Sequence, residues 1–293
     1  MPDWTLTSTD VIAPGRRIVR RLGGGGAHEA FLVEVAGPVP RAVAKLPRPH
    51  LADDAHCLLR LQIEGCALQR LAHPGIPLHL DTVLSGEHPH LLLEHAPGPN
   101  LRAALLGGAR LTVPLIAALG AALARALAHI AAAGWVHLDV KPSNIVLNAR
   151  PRLVDFELAR PLADAARLRH AIGTWSYMSP EQRRAGEADG GTVGPGADVF
   201  SLAASLHEAL AGRMLTSPAV PSSATLRGPV GALVAHALAP DAGDRPTALE
   251  LADGLAEWAD DQPSPTGMAA ATVVPPPGGL STRSSPFIAA TRS

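Results

Sequence analysis

Four polar side chains lie close together between apolar stretches, and their types suit one kind of chemistry. Asp139, Lys141 and Asn144 stand on a short loop within WVHLDVKPSNIVL, and Asp155 follows in LVDFELAR, eleven residues after Asn144. Transfer of a phosphoryl group requires an acid that orients the attacking hydroxyl, a cation that neutralises charge, and oxygen ligands for Mg²⁺. These four residues could supply all three.

A strand-rich region precedes these residues. Alternating apolar and turn-forming residues predict strands between positions 16 and 46, and further strands at 73–86 and 89–96. One helix is predicted from about Asp53 to Leu71. We therefore expect a small lobe that contains a sheet and a single helix.

The rest of the chain is predicted to be mainly helical. Leucines at four-residue spacing indicate one long helix, and three more helices are expected after it. The leucines are Leu115, Leu119, Leu123 and Leu127, and the later helices cover about 198–211 and two stretches between Gly228 and Trp258. The four candidate residues would therefore lie between the two regions.

Composition narrows the class of protein. The 293 residues carry a net charge of −1 with a pI near 6.9, which argues against a nucleic-acid partner or a polybasic membrane surface. Two cysteines, Cys57 and Cys66, indicate a reducing compartment, and the N-terminus lacks the features of a signal peptide, so we expect a cytoplasmic protein. The apolar stretch 111–136 is interrupted by Arg125 and His129, which predicts a buried helix and no transmembrane segment.

The order of the motifs resembles the protein kinase family, specifically the bacterial serine/threonine kinases of the eukaryotic-like (Hanks) type. The resemblance implies an α+β, two-lobed fold, with an N-lobe at 16–96 and a C-lobe at 97–259. An N-terminal arm, 1–15, would precede this domain, and a disordered Pro/Ser/Thr-rich tail, 260–293, would follow it. The resemblance also implies ATP and Mg²⁺ as cofactors and proteins with Ser or Thr hydroxyls as substrates.

Several residues of the small lobe acquire roles from this resemblance. LGGGGAHEAF is similar to the glycine-rich loop that covers ATP, with Gly23 and Gly25 in its first two glycine positions. AVAK makes Lys45 the phosphate-binding lysine, and Glu64 matches the glutamate that pairs with it. The other positions implied to contact ATP are Ala30, Val43, Glu94 and Ala96.

The large lobe supplies the remaining implied residues. Asp139 would act as the base, Lys141 would contact the γ-phosphate, and Thr174 would bond to both. Asn144 and Asp155 would hold the metal. Residues implied to have structural roles are His137, Phe156, Glu181, Asp198 and Arg245, the last two in the motifs ADVFSL and DRPT.

Each of these residues also has a plainer interpretation. The glycine run could be a flexible turn, Asp198 could cap a helix, and Glu181 and Arg245 could be surface charges. Glu64 is harder to explain in this way, because it shares a helical face with Leu61, Leu68 and Leu71. A carboxylate on a face that packs into the core needs a partner, and Lys45 is the natural one.

The sequence departs from the family pattern where regulation would occur. Leu138 replaces the arginine that in the family binds a phosphate on the activation segment. The segment from Glu157 to Gly173 contains no Ser, Thr or Tyr. The arginine that would bind the phosphate and the hydroxyl that would carry it are therefore both missing. We predict that phosphorylation of this segment does not control activity. Any signal would then arrive through a separate regulatory partner.

Three further departures concern the nucleotide site. Glu157 replaces a glycine and should restrict the flip of the segment after Asp155, while His28 replaces the third loop glycine. Ala30 and Val43 exchange the volumes that the family usually has at these positions. In the large lobe, residues 214–229 look shorter than the family insert, so docking of partners there should differ.

Two alternatives to an active protein kinase follow from these departures. A catalytically weak pseudokinase scaffold is favoured by Leu138, Glu157 and His28, whereas the retained phosphate, metal and hydroxyl contacts argue against it. A small-molecule kinase of the aminoglycoside-phosphotransferase type would share the fold, but it would usually lack Lys141 and the Glu181–Arg245 pair.

Overall fold

The computed structural model describes residues 4–36, 40–215 and 226–260. The strands are β1 Val11–Ala13, β2 Arg16–Gly24, β3 His28–Val35, β4 Arg41–Pro47, β5 His79–Val83, β6 His90–Glu94, β7 Trp135–Val136, β8 Ile145–Val146, β9 Arg152–Leu153 and β10 Arg160–Pro161. The α-helices are α1 Ala55–Arg70, α2 Leu101–Leu106, α3 Val113–Ala132, α4 Leu162–Ala165, α5 Pro180–Arg183, α6 Pro195–Ala211, α7 Gly228–Ala237 and α8 Ala248–Asp260.

The small lobe is an antiparallel sheet of six strands in the order β1-β2-β3-β4-β6-β5. One face of this sheet forms a separate core around Ile18, Phe31 and Leu92. Because side chains alternate along a strand, the other face carries Ala30, Val43 and Lys45, and α1 packs beside it against β5 and β6.

The sheet begins earlier than the boundary predicted at residue 16. β1 lies within the stretch that was assigned to an N-terminal arm and pairs with β2, and Ile12 is buried in the sheet core. A strand of three residues is too short for its alternation to be recognised in the sequence, which is why β1 was not predicted. Trp4 also belongs to the lobe, since its indole nitrogen donates to Pro47 O at 2.7 Å.

The large lobe is built around α3, which packs against α6 and α8. Gly120 permits this close approach, because a Cβ there would lie 2.7 Å from Leu255 and 2.8 Å from Leu206. By length and composition, α3 is the one described helix that could cross a membrane. Its buried positions, among them Leu119, Leu123 and Leu127, belong to the main core, whereas Leu115 near its start is exposed.

The predicted fold class, two lobes with a strand-rich first part and a mainly helical second part, is confirmed. The predicted helices and strands are present within a few residues of their expected bounds. Two predictions lie outside the described residues: the disordered tail from residue 261 onward, and most of the shortened insert, 216–225. The two lobes meet at the loops that carry the residues singled out for chemistry.

Candidate active site

Asp139, Lys141 and Thr174 form a closed triangle of hydrogen bonds. Lys141 Nζ donates to Asp139 Oδ2 at 2.6 Å and to Thr174 Oγ1 at 2.8 Å, and the Thr174 hydroxyl donates to Asp139 Oδ1 at 2.7 Å. These three residues come from two separate segments, the loop after β7 and the segment before α5. Both oxygens of the carboxylate are therefore held in a fixed orientation.

Asp198 holds the backbone of the loop that carries Asp139. Its two carboxylate oxygens accept the backbone N–H groups of His137 and Leu138, each at 2.7 Å. The helix-cap interpretation is wrong, because α6 begins at Pro195 after Gly194 and Asp198 lies inside its first turn. The brace matters because Leu138 has a φ of +66°, a conformation that costs a non-glycine residue roughly 1–3 kcal/mol.

Lys45 and Glu64 meet across the small lobe. Lys45 Nζ donates to Glu64 Oε2 at 2.8 Å, and the other oxygen, Oε1, accepts the backbone N–H of Phe156 at 3.1 Å. Glu64 is 1% exposed, in line with its place on the buried face of α1. Phe156 is fully buried with its ring edge against His137, so α1 is tied both to the sheet and to the large lobe.

Three carboxylates surround the Lys45 ammonium group. Asp155 Oδ1 lies 2.8 Å from Nζ and Glu157 Oε2 lies 3.3 Å from it, in addition to Glu64. Burial alone would lower the pKa of Lys45, but the negative charges outweigh burial and raise it well above its ordinary value. Lys45 is therefore a fixed positive charge at the entrance of the cleft.

Asn144 and Asp155 have the oxygen atoms that Mg²⁺ prefers. The Asn144 amide nitrogen donates to Asp139 O at 3.0 Å, which leaves the amide oxygen as the ligand atom, and Val154 N bonds to Asn144 O at 2.9 Å. This bond joins the two ligand-bearing loops. In the described ranges no cluster of three or more His, Cys, Asp or Glu side chains could hold a metal. A magnesium ion with few protein ligands is typically completed by substrate phosphates and water, and the two residues fit that arrangement.

The glycine-rich loop leaves open space beside its backbone. A Cβ added to Gly23 or Gly25 would meet nothing within 4 Å, so a bulky anion can approach there. Ala30 is paired directly with Lys45 across β3 and β4, and Val43 lies two residues before Lys45 on the same strand face. The residues implied to contact adenine and phosphate therefore share one surface.

The Glu94 carboxylate takes part in an ion pair that the sequence did not predict. It pairs with Arg152 at 2.9 Å and accepts the Leu78 N–H at 3.1 Å. The ATP-binding role of Glu94 stays a prediction. Ala96 lies just beyond the end of β6, in the segment that joins the lobes. Arg152 was missed, and nothing in the sequence connects it with a glutamate 58 residues earlier.

Leu138 packs against the activation segment. It is 1% exposed, and it belongs to a buried apolar cluster that joins the catalytic loop to α4, α6 and the residues between α5 and α6. We call this group the Leu138 cluster; it comprises Val136, Leu138, Ala165, Ala185, Val193 and Ala197, with Leu158, Leu162 and Leu168 packed against it. The apolar spacing of Leu158, Leu162 and Ala165 could have indicated from the sequence that this segment packs against a core.

Glu181 and Arg245 form a buried pair away from the cleft. Both carboxylate oxygens accept from the guanidinium at 2.7 and 2.8 Å. The remaining guanidinium donors bond to backbone carbonyls, and the group stacks over Phe200 at 5.1 Å. The surface-charge interpretation is therefore wrong for both residues, and the pair holds the α5 region to the turn before α8.

Comparisons with known proteins agree with the resemblance to protein kinases that the motifs show. A family model described as "Protein kinase domain" matches residues 18–252. The chain is 38% identical over 251 residues to "Probable serine/threonine-protein kinase PkwA" of Thermomonospora curvata, a match that covers 83% of this chain. It is 34% identical over 245 residues, 75% of the chain, to "Serine/threonine-protein kinase PkaA" of Streptomyces coelicolor.

Solved structures show the same likeness. The crystal structure of the Mycobacterium tuberculosis PknI kinase domain matches with a TM-score of 0.65 at 27% identity, covering 87% of this chain and 99% of that one.

The two curated relatives are longer than this chain: the matches span only 31% of PkwA and 44% of PkaA.

Proposed function

This chain belongs to the protein kinase family, and from that premise we propose that it transfers the γ-phosphate of ATP to serine or threonine hydroxyls of protein substrates. The observation that carries the proposal is the hydrogen-bonded triangle of Asp139, Lys141 and Thr174, together with the Lys45 ammonium group, which donates to both Glu64 and Asp155. We also propose the kinase domain at 16–259, extended by β1, and a cytoplasmic location, which the two free cysteines support.

Each residue of the site has a defined part in this reaction. When bound, Mg²⁺ with ATP supplies the transferable phosphoryl group and neutralises its charge. Asp139 orients the substrate hydroxyl and accepts its proton, and Thr174 and Lys141 fix the direction of the Asp139 carboxylate. Lys45, held by Glu64, would contact the α- and β-phosphates, and Asn144 and Asp155 would hold the metal. Catalysis then rests on positioning and charge.

The direct test is transfer of label from γ-labelled ATP to a mixture of protein substrates. We expect Mg²⁺-dependent incorporation that is abolished by EDTA, with phosphoserine and phosphothreonine recovered after hydrolysis. A pseudokinase scaffold, the alternative that the departures at Leu138, Glu157 and His28 favour, would bind nucleotide without incorporation. Titration with a fluorescent ATP analogue beside the transfer assay separates the two functions.

The exchanged volumes at Ala30 and Val43 predict a compensating double mutant. Both side chains lie on the cleft face of the sheet with Lys45. Ala30→Val alone should crowd the adenine site and weaken ATP binding by about tenfold, since overpacking typically costs about 1–3 kcal/mol. Ala30→Val combined with Val43→Ala should restore the affinity. Calorimetric titration with a non-hydrolysable ATP analogue measures both, and additive losses in the double mutant would contradict the exchange.

The Leu138 cluster supports activity without a phosphate on the activation segment. β10 pairs with β7, and Leu162 and Leu168 pack against the Leu138 cluster, so the segment is attached by apolar packing where the family uses an arginine and a phosphate. We expect fully active protein with the intact mass of the unmodified sequence, and no lag or gain in rate after preincubation with ATP. Loss of activity after phosphatase treatment, or an essential phosphate that peptide mapping finds at Ser176 or Ser179, would disprove this.

A matched pair of substitutions at Leu138 sharpens that test. Leu138→Arg restores the family residue but buries an unpaired charge in an apolar cluster, so activity and stability should both fall. Leu138→Met conserves the volume and should cost less than about 1.5 kcal/mol. An arginine variant that keeps the stability and the activity of the parent protein would show that the apolar attachment is dispensable.

A further inference from the structure

Two departures from the family pattern meet in space. His28 takes the third glycine position of the loop, and Glu157 takes the glycine position after Phe156. Although 129 residues separate them, His28 Nδ1 lies 3.3 Å from Glu157 Oε2. The imidazole is 3% exposed, so it is folded beneath the loop and does not project into solvent. In the sequence, each of these residues only replaces a glycine that the family usually has. In the structure, their side chains contact each other.

The Glu157 carboxylate is a junction of three elements. It contacts His28 on β3, Lys45 on β4 at 3.3 Å, and Arg60 on α1, whose guanidinium lies 3.4 Å from Oε1. The carboxylate therefore faces positively charged or protonatable groups from all three elements.

The backbone accepts a glutamate at this position without strain. Among the non-glycine residues of 4–36, 40–215 and 226–260, positive φ occurs at Leu138 and at Asp155, with values of 66° and 67°. Glu157 therefore has an ordinary φ, and the glycine usual in the family is not needed for the conformation seen here. A Cβ at this position removes alternatives that glycine would keep open.

We propose that Glu157 is a positioning residue that, together with His28, Arg60 and Lys45, clamps the glycine-rich loop and α1 onto the start of the activation segment. The inference rests on the proposed kinase function. We call these four residues the Glu157 clamp. The partners of Glu157 lie on β3, β4 and α1. These elements would have to move away from the activation segment before Lys45 could separate from Glu64. The clamp stabilises the Lys45–Glu64 pair through fixed side chains and needs no phosphate.

The chain contains its own reporter of this clamp. Cys57, in the first turn of α1, is 4% exposed, and its Sγ lies 3.2 Å from His28 Nε2. Cys66, further along the same helix, is exposed. In nucleotide-free protein a maleimide should therefore label Cys66 quickly and Cys57 slowly. Opening of the clamp should accelerate the labelling of Cys57 alone.

The test combines this labelling with kinetics. Glu157→Ala is expected to accelerate Cys57 labelling about tenfold and to lower kcat about tenfold, with the KM for ATP changed far less, because positioning is lost while the Lys45 charge remains. Glu157→Gln should recover most of kcat, since its amide oxygen still accepts from Arg60. Glu34→Ala, an exposed glutamate that pairs with Arg17 on the same sheet, is the matched control and should change neither readout.

The outcomes separate the clamp from the proposed function. Unchanged kcat and unchanged Cys57 labelling in Glu157→Ala overturn the clamp while the transfer activity stands. If the parent protein transfers no phosphate, the proposed function fails, and the labelling of nucleotide-free protein still decides the clamp. If Glu157→Ala does not fold, as shown by the loss of its thermal transition, Arg60→Ala replaces it in the test. Arg60 is an exposed member of the Glu157 clamp, so its substitution should accelerate Cys57 labelling. Unchanged labelling in Arg60→Ala would reject the clamp.

Discussion

Asp139→Asn is expected to lower kcat by a factor of about 10²–10⁴, the usual contribution of a positioned general base. The substitution keeps the size of the side chain but removes the negative charge to which Lys141 and Thr174 donate. An amide nitrogen in the place of one oxygen would face a donor, so the triangle would lose at least one hydrogen bond. Nucleotide affinity should change little, because Lys45 and Asp155 are unaltered.

The measurement is single-turnover transfer from labelled ATP, with nucleotide affinity determined separately. Asp253→Asn is the matched control: it makes the same acid-to-amide change at an exposed residue of α8 that pairs with Arg125. It should leave the rate unchanged. Equal rates in the parent and in Asp139→Asn would mean that the assigned base does not take part in the reaction.

Glu181→Gln is expected to destabilise the fold by roughly 3–5 kcal/mol, because it leaves a buried guanidinium without its counter-charge. Arg245 is fully buried at its side chain, and two of its bonds are to this carboxylate. For a chain of this size the loss corresponds to a fall in Tm of about 10 °C. The pair contacts neither the cleft nor the catalytic loop, so kcat of the folded fraction at low temperature should be preserved.

Thermal unfolding followed by circular dichroism checks this expectation. Glu187→Gln provides the comparison, since Glu187 is an exposed partner of Arg184 three residues away. A surface pair of this kind is worth at most about 1 kcal/mol. If both glutamine variants melted at the same temperature, the buried pair would contribute no more than a surface one.

The sequence was sufficient to place the groups proposed for catalysis, because the chemistry requires particular residue types in a fixed order. The loop with Asp139 and Asn144 lies between a helix and a strand, and Glu64 lies on a buried helix face as its spacing predicted. In both cases the information is local: a short motif, or a periodicity along one helix.

Contacts between distant segments were not predictable in the same way. Glu157 and His28 were each interpreted as a missing glycine, since nothing local states where their side chains point. The plainer alternative for Asp198, a helix cap, is wrong because the helix starts three residues earlier than the apolar pattern indicates. Glu94 could be placed at the end of a strand, yet its partner Arg152 belongs to another lobe.

The apolar attachment of the activation segment determines what could change the output of this proposed enzyme. Contacts among buried leucines respond weakly to salt and loosen on cooling, whereas a phosphate bound to arginine is sensitive to ionic strength. A phosphatase cannot reverse the apolar packing of the Leu138 cluster. Rapid control of this proposed enzyme would therefore have to come from a separate regulatory partner and not from a phosphate on the activation segment.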